Sequence, residues 1–321
     1  MAKKILIVST VPTTAGIGGV TIHTQRLLDS PVFKNSDFNL DLFDYKKSGI
    51  LDYIKALSGY DIVHIHISNP KARLVFVSLA KFYGKRVVLT IHGNLGRHNS
   101  LKNFLDKIAV KSADAPVVIN SDSYNKALRI NKHALLCSAF IPPSNNNDLK
   151  ESIKNRISVL KSSYDFVYAT NASRFNYDDS GNEIYGITFL INLFKNIKDK
   201  ALVISDPSGE YSEYYNDKEI PDNIVIIGEP HPFYEVIKMT DGMIRATSTD
   251  GDSISIKEAL FAGKDVIATD CVDRPDGVVM FKYGDSKSFL TALDKRCVSK
   301  TATITDASSE LFHLYSKLLD R

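Results

Sequence analysis

The sequence predicts an α/β protein with two domains, each built around a parallel β-sheet. The chain has 321 residues, a comfortable length for two domains of about 150 residues each. Short, almost continuously apolar runs alternate with longer stretches of helical spacing, and this alternation occurs in two successive series. Apolar runs of this kind are typical of strands covered on both faces, and their alternation with helices favours right-handed crossovers on a parallel sheet.

The two series of predicted strands define the domain limits. The first series lies at 4–9, 40–43, 62–67, 86–91, 116–119 and 134–137, and the second at 166–169, 201–204, 224–227, 242–244, 265–268 and 278–281. Turn-forming residues at 142–148 interrupt the pattern. We therefore predict a first domain at 1–145, a linker at 146–163, a second domain at 164–305 and a helix at 306–321 that returns toward the first domain.

Composition predicts a cytoplasmic protein. No run of about 18 apolar residues occurs, as a membrane-spanning helix would require. The apolar run near the N-terminus is short and glycines follow it, which favours a buried strand over a signal peptide. The three cysteines, Cys137, Cys271 and Cys297, are odd in number and widely spaced, which indicates reduced thiols rather than disulfides or a zinc site.

Charge is divided unevenly along the chain. Residues 1–145 carry 19 Lys and Arg against 9 Asp and no Glu, a net charge of +10, although the whole chain has only +3. The first domain could therefore present a cationic surface to anionic lipid or to a phosphorylated acceptor. The basic residues could equally solvate helix faces. They are spread through the half rather than clustered, and we predict no nucleic-acid partner.

A glycine-rich loop follows the first predicted strand. Gly16, Gly18 and Gly19 lie between that strand and a helix, where backbone amides can approach phosphate or sugar oxygens. Thr21 stands where the third glycine of a dinucleotide-binding fingerprint belongs. The loop is thus either a ligand contact or a structural turn.

Three histidines accompany the central strands of the first domain. His64 and His66 are two residues apart on one strand, so both side chains face the same side. A metal pair is conceivable, but no third ligand is evident, and buried strand histidines are common. His92 ends a predicted strand and precedes Gly93, which places it at the carboxyl edge of the sheet. Ligands of open α/β sheets bind at this edge, and a functional role is favoured for His92.

Residues 250–270 hold the most informative pattern. Asp250 and Glu258 stand eight residues apart, the first in a Gly/Ser loop and the second in an amphipathic helix. Ser253 or Ser255 can cap this helix, and Gly263 can end it. The amides at the start of a helix suit a diphosphate, and carboxylates can accept hydrogen bonds from neighbouring sugar hydroxyls.

This stretch resembles the E-x7-E region of retaining GT-B glycosyltransferases of family 4. Asp250 occupies the first acidic position and Glu258 the second, and residues 258–263 and 266–270 resemble the sequences around it. Other segments are similar to the family in the same order: the glycine loop with His23, the D-x-V-H-x-H strand at 61–66, the T-x-H strand end at 90–92, and a diphosphate-binding arginine at Arg174.

The resemblance implies two Rossmann-like domains facing across a cleft, with the donor bound mainly by the second. It implies that Asp250 contacts the transferred sugar, that Glu258 contacts the ribose, and that His92 lines the sugar pocket. Arg174, the glycine loop (Gly18, Gly19) and residues 251–253 (Gly251, Asp252, Ser253) would complete the donor site.

Two features depart from the family pattern. The first acid is aspartate rather than glutamate, and Tyr185 and Gly186 stand where the family has Lys-Gly. The leaving phosphate would then depend on Arg174, on helix dipoles and on Arg245 or Arg274.

The expected activity is transfer of a hexosyl or related group from a nucleotide sugar, with retention and without a metal or other cofactor. A UDP-sugar is favoured over a GDP-sugar as donor. The acceptor would be a saccharide or a lipid-linked molecule in the synthesis of surface polysaccharide, such as lipopolysaccharide or capsule, or of glycolipid. The enzyme would be cytoplasmic and peripheral at the inner face of the membrane.

Three alternatives remain open. Asp250 and Asp252 could form the metal-binding D-x-D motif of a GT-A transferase, although a metal needs more oxygen ligands than the local sequence offers. The chain could also be a nucleotide-sugar epimerase or hydrolase of GT-B fold. The aspartate at 250 and the missing lysine would suit a subunit that binds nucleotide sugar without catalysis.

Overall fold

The computed structural model describes residues 3–11, 19–143, 148–218, 220–295 and 304–320. The chain forms two compact units. Unit 1 comprises residues 1–144 and 305–321, and unit 2 comprises residues 145–304. Within the described part of the chain, no helix is both long enough and apolar enough to cross a membrane.

Unit 1 is built on a parallel sheet of six strands in the order β2-β1-β3-β4-β5-β6. The strands are β1 (Lys3–Ser9), β2 (Phe38–Asp44), β3 (Ile62–Ile65), β4 (Arg86–Ile91), β5 (Ala115–Val118) and β6 (Leu135–Leu136). The register of the sheet is shown by Ile5 of β1, which pairs with Leu40 on β2 and with Ile62 on β3. Alternate residues of β1 belong to two different cores, Ile5 to one and Leu6 to the other, since successive side chains point to opposite faces.

Helices cover both faces of this sheet. They are α1 (Gly19–Asp29), α2 (Pro31–Lys34), α3 (Ile50–Leu57), α4 (Pro70–Phe82), α5 (Ser100–Ser112), α6 (Ser121–Leu128) and, from the C-terminus, α13 (Ala307–Leu319). Side chains of Asn69, Asn99 and Asn120 accept hydrogen bonds from first-turn amides and so fix the starts of α4, α5 and α6. Helix α13 places Leu311 and Tyr315 in the core beside Ile5.

Unit 2 has a second parallel sheet of six strands, in the order β12-β11-β10-β7-β8-β9. Its strands are β7 (Phe166–Asn171), β8 (Lys200–Ser205), β9 (Ile224–Ile227), β10 (Gly242–Arg245), β11 (Asp265–Thr269) and β12 (Val278–Phe281). Its helices are α7 (Glu151–Ser163), α8 (Ile187–Phe194), α9 (Glu210–Tyr214), α10 (Phe233–Met239), α11 (Ile254–Phe261) and α12 (Ser286–Asp294).

Most of the segment predicted as a linker is helical. Helix α7 occupies residues 151–163, and its Ile153, Ile157 and Leu160 pack in a core of unit 2 with Val167 of β7. The predicted linker at 146–163 therefore contains helix α7 over residues 151–163. Their apolar positions recur at intervals of four and three, which is the spacing of one helix face.

The strand orders define one switch point in each sheet. In unit 1, β2 lies on one side of β1 and the later strands β3 to β6 lie on the other, so the switch point is between β1 and β3. In unit 2, β8 and β9 lie on one side of β7 and the later strands β10 to β12 lie on the other, so the switch point is between β7 and β10. Ligands of open α/β sheets bind beyond the carboxyl ends of strands at such a point. The side chains that follow β1, β3, β7 and β10 are therefore the first candidates for a site.

Candidate functional site

Three histidines meet at the switch point of unit 1. His66 directly follows β3 and donates its backbone amide to the carbonyl of Val8 on β1 at 2.8 Å. His92 directly follows β4, and His23 reaches the same place from α1. The ring centroids are 5.3 Å apart for His23 and His66, 5.1 Å for His23 and His92, and 5.1 Å for His66 and His92. We call His23, His66 and His92 the histidine cluster.

Hydrogen bonds orient the rings of the cluster. Nδ1 of His23 lies 2.8 Å from the carbonyl oxygen of Ala139, and Nδ1 of His66 lies 2.8 Å from Nε2 of His92. A carbonyl only accepts, so Nδ1 of His23 carries the proton and its Nε2 carries the lone pair. Nε2 of His66 is buried and contacts no hydrogen-bond partner within the described ranges.

His64 has a different environment, although it lies only two residues before His66. Its Nδ1 lies 2.5 Å from the hydroxyl of Tyr315, and its Nε2 lies 2.7 Å from the hydroxyl of Thr90. Both ring nitrogens are thus engaged in the core, as expected for a buried strand histidine. From the sequence alone, no third ligand was evident for a metal pair of His64 and His66. In the structure, His23 and His92 lie beside His66.

Burial holds the pKa values of His64, His66 and His92 well below the ordinary value of 6.5, and neighbouring imidazoles lower them further. The three rings are therefore neutral in the folded protein near neutral pH. A neutral imidazole can accept a proton, a hydrogen bond or a metal ion through its free lone pair.

These low pKa values predict loss of stability in mild acid. Below pH 6.5, His64, His66 and His92 bind protons in the unfolded chain but stay unprotonated in the folded chain. The free energy of unfolding therefore falls as pH falls. Each such histidine contributes a slope of about 1.4 kcal/mol per pH unit. Urea denaturation at pH 7.0 and 5.5 should show the loss, and His66→Asn should reduce the slope by one histidine's share. His133→Asn, at an exposed position, should leave it unchanged. If His66→Asn showed the same pH dependence of the free energy of unfolding as the parent protein, the low pKa of His66 would be contradicted.

Asp250 is held at the switch point of unit 2 by two arginines. Arg245, the last residue of β10, donates from Nε to Oδ2 of Asp250 and from an Nη to Oδ1, both at 3.2 Å. Arg274 donates to Oδ2 of Asp250 at 2.8 Å. Arg245 also donates to Oδ1 of Asn171 at 3.1 Å, so it links the carboxyl ends of β10 and β7. Arg274 is anchored in turn on the carbonyl of Thr269 at 2.9 Å.

The charges in this group support one another. Burial would raise the pKa of Asp250, but Arg245 and Arg274 outweigh burial and hold it below the ordinary value. Burial likewise opposes the charge of Arg245, and Asp250 reverses that effect and raises its pKa. One carboxylate and two guanidiniums leave a net positive charge at this switch point. Both oxygens of Asp250 already accept hydrogen bonds, so its position is determined by the arginines.

The loop after Asp250 leads into helix α11. Gly251 is exposed, and Ser253 is the N-cap residue, with its hydroxyl 3.1 Å from that of Ser255 rather than on a backbone amide. The first turn of α11 therefore has no side-chain cap, and its amides point toward the loop. Glu258 lies within α11 and is only 5% exposed. Asp252 forms an ion pair with Lys257.

These ion pairs disfavour the D-x-D interpretation. A metal-binding motif needs carboxylate oxygens that are free to face the ion. Asp250 instead faces two arginines, and Asp252 pairs with Lys257.

Arg174 lies three residues beyond the end of β7. Its side chain is exposed and makes no hydrogen bond or ion pair with the residues that the structure describes. Arg245 and Arg274, in contrast, are both committed to Asp250. Of the three arginines that the sequence offered for phosphate binding, Arg174 is the one whose charge is uncommitted within the described chain.

Tyr185 and Gly186 precede helix α8 at the same sheet edge. Gly186 has φ of 60°, and a Cβ there would lie 2.3 Å from the carbonyl oxygen of Ala246, so this close approach requires glycine. The Glu183 carboxylate accepts from the first-turn amides of α8, Ile187 at 2.8 Å and Thr188 at 3.2 Å. The start of α8 is thus occupied by an acid of the chain itself, unlike that of α11.

The structure describes only part of the glycine loop. Gly16 and Gly18 lie outside the described residues, and Gly19 begins α1.

A separate cavity of about 390 Å³ in unit 1 is lined by Arg86, Lys111 and His133. Arg86 begins β4 whereas His92 follows its end, so this cavity lies at the opposite edge of the sheet, and we assign the candidate site to the carboxyl ends.

No protein family matches the sequence, and no curated protein is similar to it. Solved structures are similar over the whole chain. Sucrose-phosphate synthase from Thermosynechococcus elongatus is 14% identical, with 99% of both chains covered and a TM-score of 0.70. The catalytic domain of starch synthase IV from Arabidopsis thaliana, bound to ADP and acarbose, is 13% identical, with 100% of both chains covered and a TM-score of 0.66.

A third similar structure is an enzyme of another type. UDP-GlcNAc 2-epimerase from Methanocaldococcus jannaschii is 12% identical, covers 98% of this chain and 99% of its own, and has a TM-score of 0.63. The predicted fold class is confirmed: the chain has the two-unit α/β fold of GT-B glycosyltransferases. At these identities the likeness establishes the fold, while membership of family 4 and the roles of the site residues stay predictions.

Proposed function

We propose that the chain is a glycosyltransferase that transfers a hexosyl or related group from a nucleotide sugar. The observation that carries the proposal is the arrangement at the switch point of unit 2. There the uncapped start of α11, the buried Glu258 and the group formed by Asp250, Arg245 and Arg274 follow the carboxyl ends of the strands in a GT-B fold. Amides and cations suit a diphosphate, and a buried carboxylate suits ribose hydroxyls.

The proposed donor site divides the nucleotide sugar among these groups. The first-turn amides of α11 and the guanidinium of Arg174 hold the diphosphate, and Glu258 accepts from the ribose hydroxyls. Asp250 and Gly251 to Ser253 border the transferred sugar. For unit 1, considered by itself, we propose His92 and the glycine loop at Gly18 and Gly19 as contacts of a sugar substrate. We favour a UDP-sugar as donor and retention at the anomeric carbon, on the resemblance around Asp250 and Glu258.

Catalysis in this proposal is electrostatic. Negative charge grows on the diphosphate as the glycosidic bond breaks, and preorganised amides and cations stabilise it most in the transition state. We propose that no metal or other cofactor takes part, because the carboxylates of the D-x-D candidate are paired with Arg245, Arg274 and Lys257.

Glu258 offers the most direct test of ribose recognition. Glu258→Gln should weaken binding of the free nucleoside diphosphate by about 1.5–3 kcal/mol, because hydrogen bonds to a charged group contribute in that range. Titration calorimetry with UDP, and with ADP and GDP for comparison, measures the change. Asp199→Asn is a matched control, since Asp199 directly precedes β8, at the opposite edge of the sheet, and pairs with Lys200. Unchanged affinity in a folded Glu258→Gln protein would remove Glu258 from the site.

An epimerase or hydrolase is the second candidate, favoured by the similarity to UDP-GlcNAc 2-epimerase. Such an enzyme converts nucleotide sugar without an acceptor, whereas a transferase depends on one. A subunit that binds without catalysis is the third, and the engagement of both Asp250 oxygens suits it. Donor binding without turnover against any acceptor would favour that candidate.

We further propose a saccharide or lipid-linked acceptor, used in surface polysaccharide or glycolipid synthesis at an anionic membrane. Support comes from helix α5, which exposes Leu101 and Phe104 together with Lys102 and Lys107. Apolar and basic side chains on one surface helix are typical of attachment to anionic lipid. Unit 1 also contains the +10 region of the sequence.

Membrane attachment predicts that the protein sediments with anionic vesicles and not with neutral ones. Binding should fall steeply with added salt, since charges are screened within about 8–10 Å near physiological ionic strength. Leu101→Ser with Phe104→Ser should weaken binding, whereas Val159→Ser, at an exposed position of α7, should not. Equal binding to neutral vesicles, or no binding to either, would contradict the proposal.

A further inference from the structure

The histidine cluster has the composition of a metal site. His23, His66 and His92 each offer one ring nitrogen, and these three atoms all lie within 4.8 Å of one another. Three histidines are a known protein ligand set for zinc, with a fourth position left for water or substrate. We propose that the cluster binds one Zn²⁺ ion through these three imidazoles, at the switch point of unit 1.

The spacing of the rings fits tetrahedral coordination. A zinc–nitrogen bond of about 2.0–2.1 Å, with the ring centre about 1.1 Å beyond the nitrogen, puts neighbouring ring centroids about 5.2 Å apart at a tetrahedral angle. The three observed separations are 5.1, 5.1 and 5.3 Å. The rings therefore already stand at the distances that an ion would require, and coordination needs ring rotation rather than movement of strands.

Hydrogen bonds orient the rings of the histidine cluster in the way that outer-shell groups orient the ligands of a metal. Ring nitrogens opposite a metal commonly donate to a backbone carbonyl or carboxylate, which fixes the tautomer. His23 has this arrangement, since its Nδ1 donates to the carbonyl of Ala139 and its Nε2 presents a lone pair. His66 and His92 share a hydrogen bond of 2.8 Å between ring nitrogens, and an ion can replace the proton there. Nε2 of His66 offers a second buried nitrogen without a hydrogen-bond partner among the described residues.

The chemistry of the cluster selects the kind of ion. The ligands are neutral nitrogens with no carboxylate among them, which suits Zn²⁺ or Co²⁺ rather than Mg²⁺ or Ca²⁺. His64 is excluded because both of its nitrogens are held by Tyr315 and Thr90. The ion is not required by the proposed transfer, in which arginines and helix amides act on the phosphate, so its binding is measured without donor or acceptor.

Binding of Zn²⁺ to the chelator-treated, untagged protein tests this site. Calorimetry and metal analysis after gel filtration should give one Zn²⁺ per chain, and Co²⁺ should give the visible spectrum of a tetrahedral nitrogen site. His23→Asn should weaken the affinity by more than about 100-fold, beyond the usual loss for an outer-shell partner. The asparagine amide can still donate to Ala139, so the variant keeps the structural bond.

Two further variants separate ligation from folding. His66→Asn should lose the ion as His23→Asn does, while His133→Asn, at an exposed position, should bind like the parent. Zn²⁺ should also raise the thermal midpoint of the parent and not of His23→Asn. Stoichiometric binding that survives both cluster variants, or no binding by the folded parent, would overturn the proposal.

Discussion

Replacing Arg174 by alanine is expected to lower turnover by about 10²–10³-fold, with a smaller effect on donor affinity. Losing one preorganised donor costs about this much when charge develops in the transition state. Arg174 is exposed and makes no ion pair within the described ranges, whereas Arg245 and Arg274 are bound to Asp250. A guanidinium can engage two phosphate oxygens at once and keeps its charge throughout turnover.

The measurement is steady-state kinetics of sugar transfer, with donor affinity measured separately. Arg129→Ala is a matched control, because Arg129 is also exposed and lies at the end of α6 in unit 1. Tyr185→Lys in the Arg174→Ala background should restore part of the rate, since it supplies a cation at the position where family 4 glycosyltransferases, which residues 250–270 resemble, have Lys-Gly. Near-normal turnover of Arg174→Ala would place the phosphate contact elsewhere, with Arg245 and Arg274 as the next candidates.

Asp250→Ala should destabilise the protein by about 3–5 kcal/mol, the usual cost of removing one partner from a buried ion pair. The side chains of Arg245 and Arg274 are 12% and 2% exposed, and that of Asp250 is 8% exposed. Removing the carboxylate would leave two buried positive charges side by side. Urea denaturation at pH 7 measures the loss in free energy of unfolding.

A surface pair provides the control for this experiment. Glu151→Ala breaks the pair with Lys154, in which the Glu151 side chain is 77% exposed, and should cost less than about 1 kcal/mol. Combining Asp250→Ala with Arg274→Met should recover part of the lost stability, because one uncompensated charge is then absent. A loss below about 1 kcal/mol for Asp250→Ala would show that the three side chains are not coupled as described.

The strands were largely predictable because parallel strands buried on both faces leave unbroken apolar runs. The run at 86–91, for example, is β4 (Arg86–Ile91) itself. The linker that we predicted from the turn-forming residues at 142–148 extends to residue 163 and so includes helix α7. The apolar spacing of Ile153, Ile157 and Leu160 was the signal that could have located it.

The loop and helix that carry the candidate donor residues were predictable, but the contacts of these residues were not. The resemblance to family 4 located Asp250 and Glu258 at a loop and a helix, where the structure has them. The pairing of Asp250 with Arg274 joins residues 24 apart, across the end of β11, and no sequence spacing signals it. The histidine cluster was missed for the same reason, since His23 meets His66 and His92 through the packing of α1 on the sheet.

We propose that this GT-B fold transfers sugar from a nucleotide donor to an acceptor. The most direct measurement is release of nucleoside diphosphate from UDP-sugars in the presence of chelator, with and without saccharide and lipid-linked acceptors. We expect that an acceptor accelerates release and becomes glycosylated, and that the chelator does not abolish the reaction. Epimerised or hydrolysed donor at a rate independent of acceptor would contradict the proposal, as would donor binding with no turnover.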